Sequence, residues 1–319
     1  MKVLTITNML PIPEHPYFGV FVEEQVAGLR KYYPEIENKV FFINGFVHKY
    51  NYVLSIVKIN WHLLFHSYDI IHLHSALSGL FLLFAPKRKN VIITLHGIEI
   101  NDPNQYKISK HIIKKTGMLI CVSEEIEAIV KKRVPNTPTY VIPCAVCDNF
   151  FVDKRAKKNT GTIKIAFPAS KDRPEKNYVF FKQVIDLLEK EKGISVEIIE
   201  IHGKTRSEVL ETLNDIDVLV MTSLSEGSPQ IIKEAMCCNV PIVSSNAGNI
   251  AMLLNGVKNC KVINNFDKYA FVNAIDEILN CKSEERRSTG RERILKLGID
   301  EKSTYEKIFL LYKQLSNVD

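Results

Sequence analysis

Two carboxylates, Glu226 and Glu234, lie eight positions apart on either side of a Gly-Ser-Pro turn. An apolar run at 218–221 precedes the turn, and a second apolar run follows Glu234. Ser228 suits a helix N-cap, and Pro229 suits the first helical position, where its missing N–H leaves no hydrogen bond unmade. The pattern therefore predicts a strand, a tight loop, a helix and a second strand.

A helix that begins at this turn directs free N–H groups towards the carboxyl end of the preceding strand, where open α/β sheets bind ligands. Residues 227–230 are placed to hold an anion, Glu226 lies at the lip of that site, and Glu234 can reach a neutral polyol. Phosphate on backbone amides with a diol on a carboxylate describes a nucleotide, and a second carboxylate suits a sugar. Two glutamates at this spacing also occur on exposed helices, but the turn and the two apolar runs favour a binding site.

The segment from Glu226 to Glu234 resembles the E-x7-E element of the retaining GT-B glycosyltransferases, glycosyltransferase family 4 (glycosyl transferases group 1). The resemblance implies that Glu226 is a catalytic residue that contacts the transferred sugar. It implies that Glu234 holds the ribose hydroxyls. The turn residues Gly227, Ser228 and Pro229 are expected to bind the donor.

Three cations, Lys171, Arg173 and Lys176, follow the apolar run at 163–168, and a helix is predicted from near Asn177. Cations at a strand end that face a helix N-terminus suit a diphosphate. The resemblance implies an Arg and a Lys on the donor phosphates, and Lys176 matches the family lysine. Its partner is Arg173 or Lys171, and Arg173 is preferred because its planar guanidinium can bind phosphate through two bonds.

In the first half of the chain, the run TLHGIEIND resembles the T-x-H-G element of the same family. That likeness implies that His96 is a second catalytic residue, which contacts the donor sugar at the reaction centre. Gly19 follows a proline-rich loop and precedes a predicted helix, and the family implies that its backbone approaches the donor. An ordinary turn glycine is the alternative.

Other polar residues at predicted strand ends are interpreted as structural. Glu99 and Asp102 are acceptor contacts or solvated loop residues, and the second interpretation is preferred. His72 and His74 share one face of a strand, and without a third ligand at useful spacing we expect polar lining of the sheet edge rather than a metal site.

We predict no metal and no cofactor. Asp215 and Asp217 imitate the D-x-D element of metal-dependent transferases, but they are expected to cap or turn the chain, with the cations neutralising the leaving diphosphate instead. Cys144 and Cys147 form a lone C-x-x-C, which cannot complete a zinc site and predicts packing or loop cysteines. The loops at 144–148 and 247–251 depart from the family pattern.

The segment 48–68 carries aromatic and apolar residues, including the only tryptophan, among Lys and His residues. We interpret it mainly as a helix packed on the core. The alternative is a basic amphipathic helix that lies on a membrane surface.

Charge and cysteine content limit the classes of binding partner that the protein can have. Net charge is +6 and the pI is near 8.8, which suits anionic small molecules or a loose association with anionic lipid and argues against nucleic acid. The seven cysteines are an odd number, and the first ten residues predict a strand rather than a secretory signal. We therefore expect free thiols and a cytoplasmic protein. If the protein associates with lipid, we expect it at the inner face of the membrane.

The predicted fold is α/β and GT-B: two Rossmann-like, doubly wound domains that face each other across a cleft. The predicted divisions are an acceptor-binding domain at 1–152, a nucleotide-sugar-binding domain at 153–298 that opens with a charged linker at 153–162, and a C-terminal helix at 299–319 that returns to the first domain.

The resemblance implies a metal-independent, retaining hexosyltransferase with a nucleotide-sugar donor and a saccharide or lipid-linked acceptor, in bacterial surface polysaccharide or glycolipid synthesis. Two alternatives remain at this stage. One is a nucleotide-sugar epimerase on the same fold. The other is a catalytically silent nucleotide-sugar-binding subunit of a transferase complex.

Overall fold

The computed structural model describes residues 1–151, 162–282 and 285–316. The chain divides into two compact units. The first unit comprises Met1–Ala145 and Glu301–Asp319, and the second comprises Val146–Asp300. The predicted linker at 153–162 lies outside the described residues, apart from Thr162.

The first unit is built on a parallel sheet. Within the described residues its strand order is β2-β1-β3-β4-β5-β6. The strands are β1 (Lys2–Thr7), β2 (Glu37–Phe42), β3 (Ile70–His74), β4 (Val91–Leu95), β5 (Met118–Cys121) and β6 (Thr139–Val141). The helices are α1 (Val20–Tyr32), α2 (Asn51–Phe65), α3 (Ile98–Asn101), α4 (Pro103–Ile113) and α5 (Glu124–Arg133), with a 3₁₀ helix at Ala76–Phe84.

The two central strands β3 and β4 are buried along their whole length, which explains their unbroken apolar sequences, because helices cover both faces of such a sheet. Alternate side chains enter two cores: Ile71 and Ile93 face one, while Ile70 and Ile92 face the other.

The last helix, α12 (Glu301–Ser316), completes the second of these cores, as the predicted return of the C-terminal helix requires. Its Tyr305 and Tyr312 are almost fully buried. A Cβ at Gly28 of α1 would lie 1.9 Å from the Tyr305 ring, so only glycine lets the two helices approach this closely.

The second unit is also a parallel sheet, in the order β11-β10-β9-β7-β8. The strands are β7 (Ile163–Phe167), β8 (Val196–Glu200), β9 (Val218–Met221), β10 (Ile242–Ser245) and β11 (Cys260–Ile263). The helices are α6 (Tyr178–Lys192), α7 (Arg206–Asp215), α8 (Gln230–Cys237), α9 (Ile250–Leu254), α10 (Lys268–Leu279) and α11 (Gly290–Leu297), and a 3₁₀ turn spans Pro174–Lys176.

In the second unit the strand order reverses between β7 and β9, because β8 lies on the outer side of β7. Such a reversal is a topological switch point, where the loops after two adjacent strands diverge and leave a crevice. The loops that follow β7 and β9 carry the predicted cation and carboxylate motifs.

Within the described residues, none of the helices has both the length and the apolar character needed to cross a bilayer.

Candidate functional site

Three loops meet at the carboxyl edge of the second sheet, after β7, β9 and β10. The Thr222 hydroxyl, just after β9, donates to the carbonyl oxygens of Lys176 (3.0 Å) and Asn177 (3.2 Å). The N–H of Leu224 donates to the Glu175 carbonyl at 2.8 Å. These bonds hold the loop after β9 against the cationic loop after β7, on the two sides of the switch point.

Lys176 and Glu226 form an ion pair across this point. The Lys176 Nζ lies 2.5 Å from the Glu226 Oε1, and the two side chains are only 12% and 11% exposed. Screening by water is weak at such a position, so the pair fixes both groups firmly. The structure thus brings together two residues that are fifty positions apart and that the sequence assigned to diphosphate and sugar.

The loop after β10 closes on the turn at 227–229. Asn249 donates from its backbone N–H to the Gly227 carbonyl (3.2 Å) and from its side-chain amide to the Ser228 hydroxyl (3.0 Å). Gly248 has a φ of +57°, and a Cβ there would lie 2.4 Å from the Gly227 carbonyl oxygen. Gly248 is therefore required for this close approach.

Helix α8 begins one residue later than the sequence predicts. Pro229, not Ser228, occupies the N-cap position, and the first helical residue is Gln230. The prediction that Ser228 caps the helix is wrong because its hydroxyl is engaged by Asn249. The N-terminus of α8 still lies within four residues of Glu226, where its dipole favours an anion.

Glu234 lies in the second turn of α8 with a side chain only 3% exposed, and it pairs with Arg206 Nη1 at 2.8 Å. The Arg206 guanidinium also lies over the Phe150 ring, 4.5 Å from its centroid. The sequence offered no signal for Arg206, which is 28 positions upstream of its partner. The ion pair with the guanidinium fixes the orientation of the Glu234 carboxylate.

Arg173 does not join the Lys176–Glu226 pair. Its guanidinium pairs with Glu175 at 2.5 Å, and both side chains are largely exposed. The alternative cation, Lys171, is exposed, and its backbone N–H donates to Glu200.

Asp215 and Asp217 lie at the amino end of β9, on the edge of the sheet opposite the switch point. Asp215 pairs with Lys164 Nζ at 2.7 Å. Asp217 accepts from the Lys164 N–H at 2.9 Å and faces Arg286 at 3.5 Å. The two aspartates are thus engaged by Lys164 and Arg286 at this edge of the sheet.

In the first unit, His96 follows the carboxyl end of β4, and its N–H and that of Gly97 donate to the Glu99 carboxylate. Glu99 is fully buried, and burial raises the pKa of its carboxyl group. The preference for a solvated Glu99 is therefore wrong. Asp102 caps α4 by accepting from the Gln105 N–H at 2.7 Å.

Three imidazoles stack beside this turn. The His72 and His74 ring centroids are 4.6 Å apart, and those of His74 and His96 are 5.8 Å apart. His72 bonds the Tyr312 hydroxyl through Nδ1 (2.5 Å) and the Thr94 hydroxyl through Nε2 (2.8 Å). Burial lowers the pKa of His72 to about 3 and that of His74 well below its usual value, so both rings are neutral near pH 7.

Gly19 is the N-cap of α1 with a φ of +71°. A Cβ there would lie 2.3 Å from the backbone of Met9. The close approach that requires glycine is therefore the contact between Gly19 and the Met9 backbone. Cys144 and Cys147 pack against apolar residues, as the sequence predicts.

Two family models and a curated relative match the chain. The model of the family "Glycosyl transferases group 1" matches residues 156–294, and that of "Glycosyltransferase Family 4" matches residues 22–150. The chain is similar to the UDP-Gal:alpha-D-GlcNAc-diphosphoundecaprenol alpha-1,3-galactosyltransferase of Escherichia coli, with 26% identity over 69% of this chain and 70% of that protein.

Solved structures share the fold. The sucrose-phosphate synthase of Thermosynechococcus elongatus superposes with a TM-score of 0.78 at 16% identity and full coverage of both chains. The Anabaena protein HepE in complex with UDP-glucose has a TM-score of 0.70 at 14% identity, over 98% of this chain and 100% of that one.

Two Rossmann-like units on parallel sheets, with these structural neighbours, define the GT-B class of glycosyltransferase fold. The two family models together match more than half of the chain. The protein belongs to glycosyltransferase family 4, glycosyl transferases group 1, and is a glycosyltransferase.

Proposed function

We propose that the protein transfers a hexose from a nucleotide-sugar donor to an acceptor hydroxyl, with retention at the anomeric carbon and without a metal ion. The observation that carries the proposal is the Lys176–Glu226 pair at the switch point of the second unit, beside the N-terminus of α8. A cation and a helix dipole suit a diphosphate, and the adjacent carboxylate suits sugar hydroxyls.

In the proposed reaction the bond from the anomeric carbon to the diphosphate oxygen breaks while the bond to the acceptor oxygen forms on the same face. The acceptor hydroxyl gives its proton to the departing diphosphate. Lys176 and the α8 N-terminus stabilise negative charge as it develops on the leaving group, which is where electrostatic catalysis acts most effectively. Glu226 and His96 are proposed to contact the sugar, and Glu234, oriented by Arg206, the ribose.

Metal independence is proposed from the same charges. Asp215 and Asp217 lie at the opposite sheet edge and are bound to Lys164 and Arg286, so positive charge for the diphosphate is assigned to Lys176. Turnover is expected to be unchanged when EDTA is added and when Mg²⁺ or Mn²⁺ is supplied. A turnover rate that requires the metal would contradict this assignment.

The acceptor class is proposed from the E. coli relative, which is named for transfer onto GlcNAc-diphosphoundecaprenol. We propose a lipid-linked saccharide, in bacterial surface polysaccharide or glycolipid synthesis, handled at the inner face of the membrane.

The test is nucleotide release from a panel of UDP-, GDP- and ADP-sugars in the presence of a lipid-linked saccharide. We expect release with at least one donor, a product whose anomeric configuration by NMR matches that of the donor, and weaker donor binding in Lys176→Ala. Lys190→Ala, an exposed lysine on α6, is the matched control. Donor binding without release from any pair would overturn the proposal, as would interconversion of the nucleotide-sugar without transfer.

A further inference from the structure

Helix α2 presents an apolar face to solvent. Seven of its residues are exposed at positions that recur every three to four residues, so they lie on one side of the helix. Six of the seven are apolar, and Leu64 is 73% and Val57 68% exposed. We call this the α2 face; its members are Val53, Leu54, Val57, Lys58, Trp61, Leu64 and Phe65.

The opposite side of α2 already packs on the core. Ser55 and Ile59 are buried, and Tyr52 and Leu63 contact the same apolar cluster. The preferred prediction of a core-facing helix is thus correct for one side only. A helix that is apolar on both sides is normally buried on both, so the exposed side of α2 calls for a partner.

The apolar surface continues beyond α2. Phe84 is 78% exposed at the end of the 3₁₀ helix Ala76–Phe84, which packs along α2. Val47 and Tyr50, just before α2, are 70% and 61% exposed. Isolated exposed apolar residues are ordinary, whereas a contiguous group of this kind marks an interaction site.

The charges in the stretch of chain that carries this surface are nearly all positive. Residues 38–98 contain six Lys and Arg residues and one acidic residue, Asp69. The Asp69 carboxylate accepts from the Lys2 N–H at 2.6 Å. Lys58 belongs to the α2 face, and the run 87–89 (Lys-Arg-Lys) follows Phe84 closely, so the apolar surface is set within cationic groups.

A pocket of about 370 Å³ lies at the C-terminal end of α2. It is lined by residues 63–68 with Ile71, Arg88 and Asn90. Its wall combines apolar side chains with a guanidinium. Within the described part of the chain, the buried Arg88 Nε has no hydrogen-bond partner, and an anionic headgroup oxygen would supply one.

We propose that the α2 face, with Phe84, docks on a membrane of anionic phospholipid, with α2 lying in the plane of the interface. Apolar side chains enter the acyl boundary while Lys58 and residues 87–89 meet the headgroups. A long lysine side chain in the middle of an apolar face can extend its ammonium to the headgroup level. Self-association through this face would instead bring like charges together.

The proposal does not depend on the donor or the reaction, and its test contains neither. Full-length protein is sedimented with large unilamellar vesicles of pure phosphatidylcholine or of phosphatidylcholine with phosphatidylglycerol. Binding is expected with phosphatidylglycerol and is expected to weaken in high salt, because counterions screen the lysines. Absence of sedimentation with anionic vesicles, or equal sedimentation with both compositions, would overturn the proposal.

Trp61 reports directly on the docked face, because it is the only tryptophan of the chain and is 64% exposed. Its emission is expected to shift to shorter wavelength on addition of anionic vesicles and to be quenched by lipids brominated on their acyl chains. Sedimentation without either change would mean that another surface binds lipid.

Paired variants separate apolar insertion from charge. Leu64→Glu is expected to lower vesicle affinity about tenfold or more, and Leu310→Glu, an exposed leucine on α12 of the same unit, to leave it unchanged. Lys87→Glu with Lys89→Glu should abolish the preference for anionic lipid, and the exposed control pair Lys190→Glu with Lys296→Glu should retain it. Equal losses in target and control variants, or a dimer in analytical ultracentrifugation that Leu64→Glu converts to monomer, would overturn the proposal.

Discussion

The ammonium of Lys176 lies 2.5 Å from the carboxylate of Glu226, and both side chains are close to nine-tenths buried. Removing one partner of such a pair leaves the other charge poorly solvated. Lys176→Met is expected to lower the free energy of unfolding by about 2 kcal/mol, and Lys176→Met with Glu226→Gln by less, because no charge is then stranded. Chemical denaturation measures both.

The control for this pair is Lys182→Met, whose partner Asp186 and own side chain are both about half exposed. Its effect should stay below about 0.5 kcal/mol. Equal losses in Lys176→Met and Lys182→Met would show that burial does not strengthen the Lys176–Glu226 pair.

Gly248→Ala tests the closure of the third loop on the turn. The substitution adds a Cβ 2.4 Å from the Gly227 carbonyl oxygen at a φ of +57°, so the loops must separate. Gly203→Ala is the control, because Gly203 has a φ of +69° and open space around it. This variant should lose only the stability that backbone strain costs, about 1 kcal/mol. We expect a larger loss of stability, and weaker nucleotide binding by calorimetry, in Gly248→Ala only. Equal losses of stability and of nucleotide affinity in the two variants would contradict the close packing of the loop after β10 on the turn at 227–229.

Arg206→Ala should strand the buried Glu234 carboxylate and lower stability by about 2–4 kcal/mol. Arg206→Lys keeps the charge but loses the planar contact with Phe150, so it should lose less than half as much. Thermal unfolding of both variants measures these two losses of stability. If the two variants lose equally, packing on Phe150 rather than the ion pair accounts for the stability that Arg206 contributes.

Stability of the first unit should fall in mild acid because of His72. Its pKa is lowered from 6.5 to about 3 by burial. Below pH 6.5 the unfolded chain binds a proton that the folded unit does not bind until about pH 3, so stability is lost as pH falls through this window. One imidazole accounts for about 1.4 kcal/mol per pH unit.

His72→Gln is therefore expected to show a shallower loss of stability between pH 6.5 and pH 5, measured by denaturant unfolding. His48→Gln, at an exposed position before α2, is the control and should retain the original slope. An unchanged slope in His72→Gln would contradict the role assigned to its burial.

The sequence was sufficient for the elements that local pattern determines. The bounds of β9 follow directly from the apolar run at 218–221. Lys176 and Glu226 each stood in a recognisable loop after a strand. Their contact depends on the reversal of strand order between β7 and β9, which links both loops to one crevice.

Residues that act through distant partners were not predictable. Arg206 meets Glu234 only through the packing of α7 against α8. Glu99 looks like a loop carboxylate in sequence, but two backbone N–H groups fold it inward. The exposed side of α2 was also hidden, because periodicity reports an apolar face without saying what covers it.

The place of α12 in the first unit has a consequence for biosynthesis. The core that Tyr305 and Tyr312 fill stays incomplete until the final helix has been translated, and the whole second unit is made before it. At roughly 5–20 residues per second, this delay is on the order of ten seconds. During this delay the nascent first sheet has an uncovered face, and His72 lacks its tyrosine hydroxyl, while the second unit can already fold. Synthesis of the first unit thus begins before that of the second unit and ends after it.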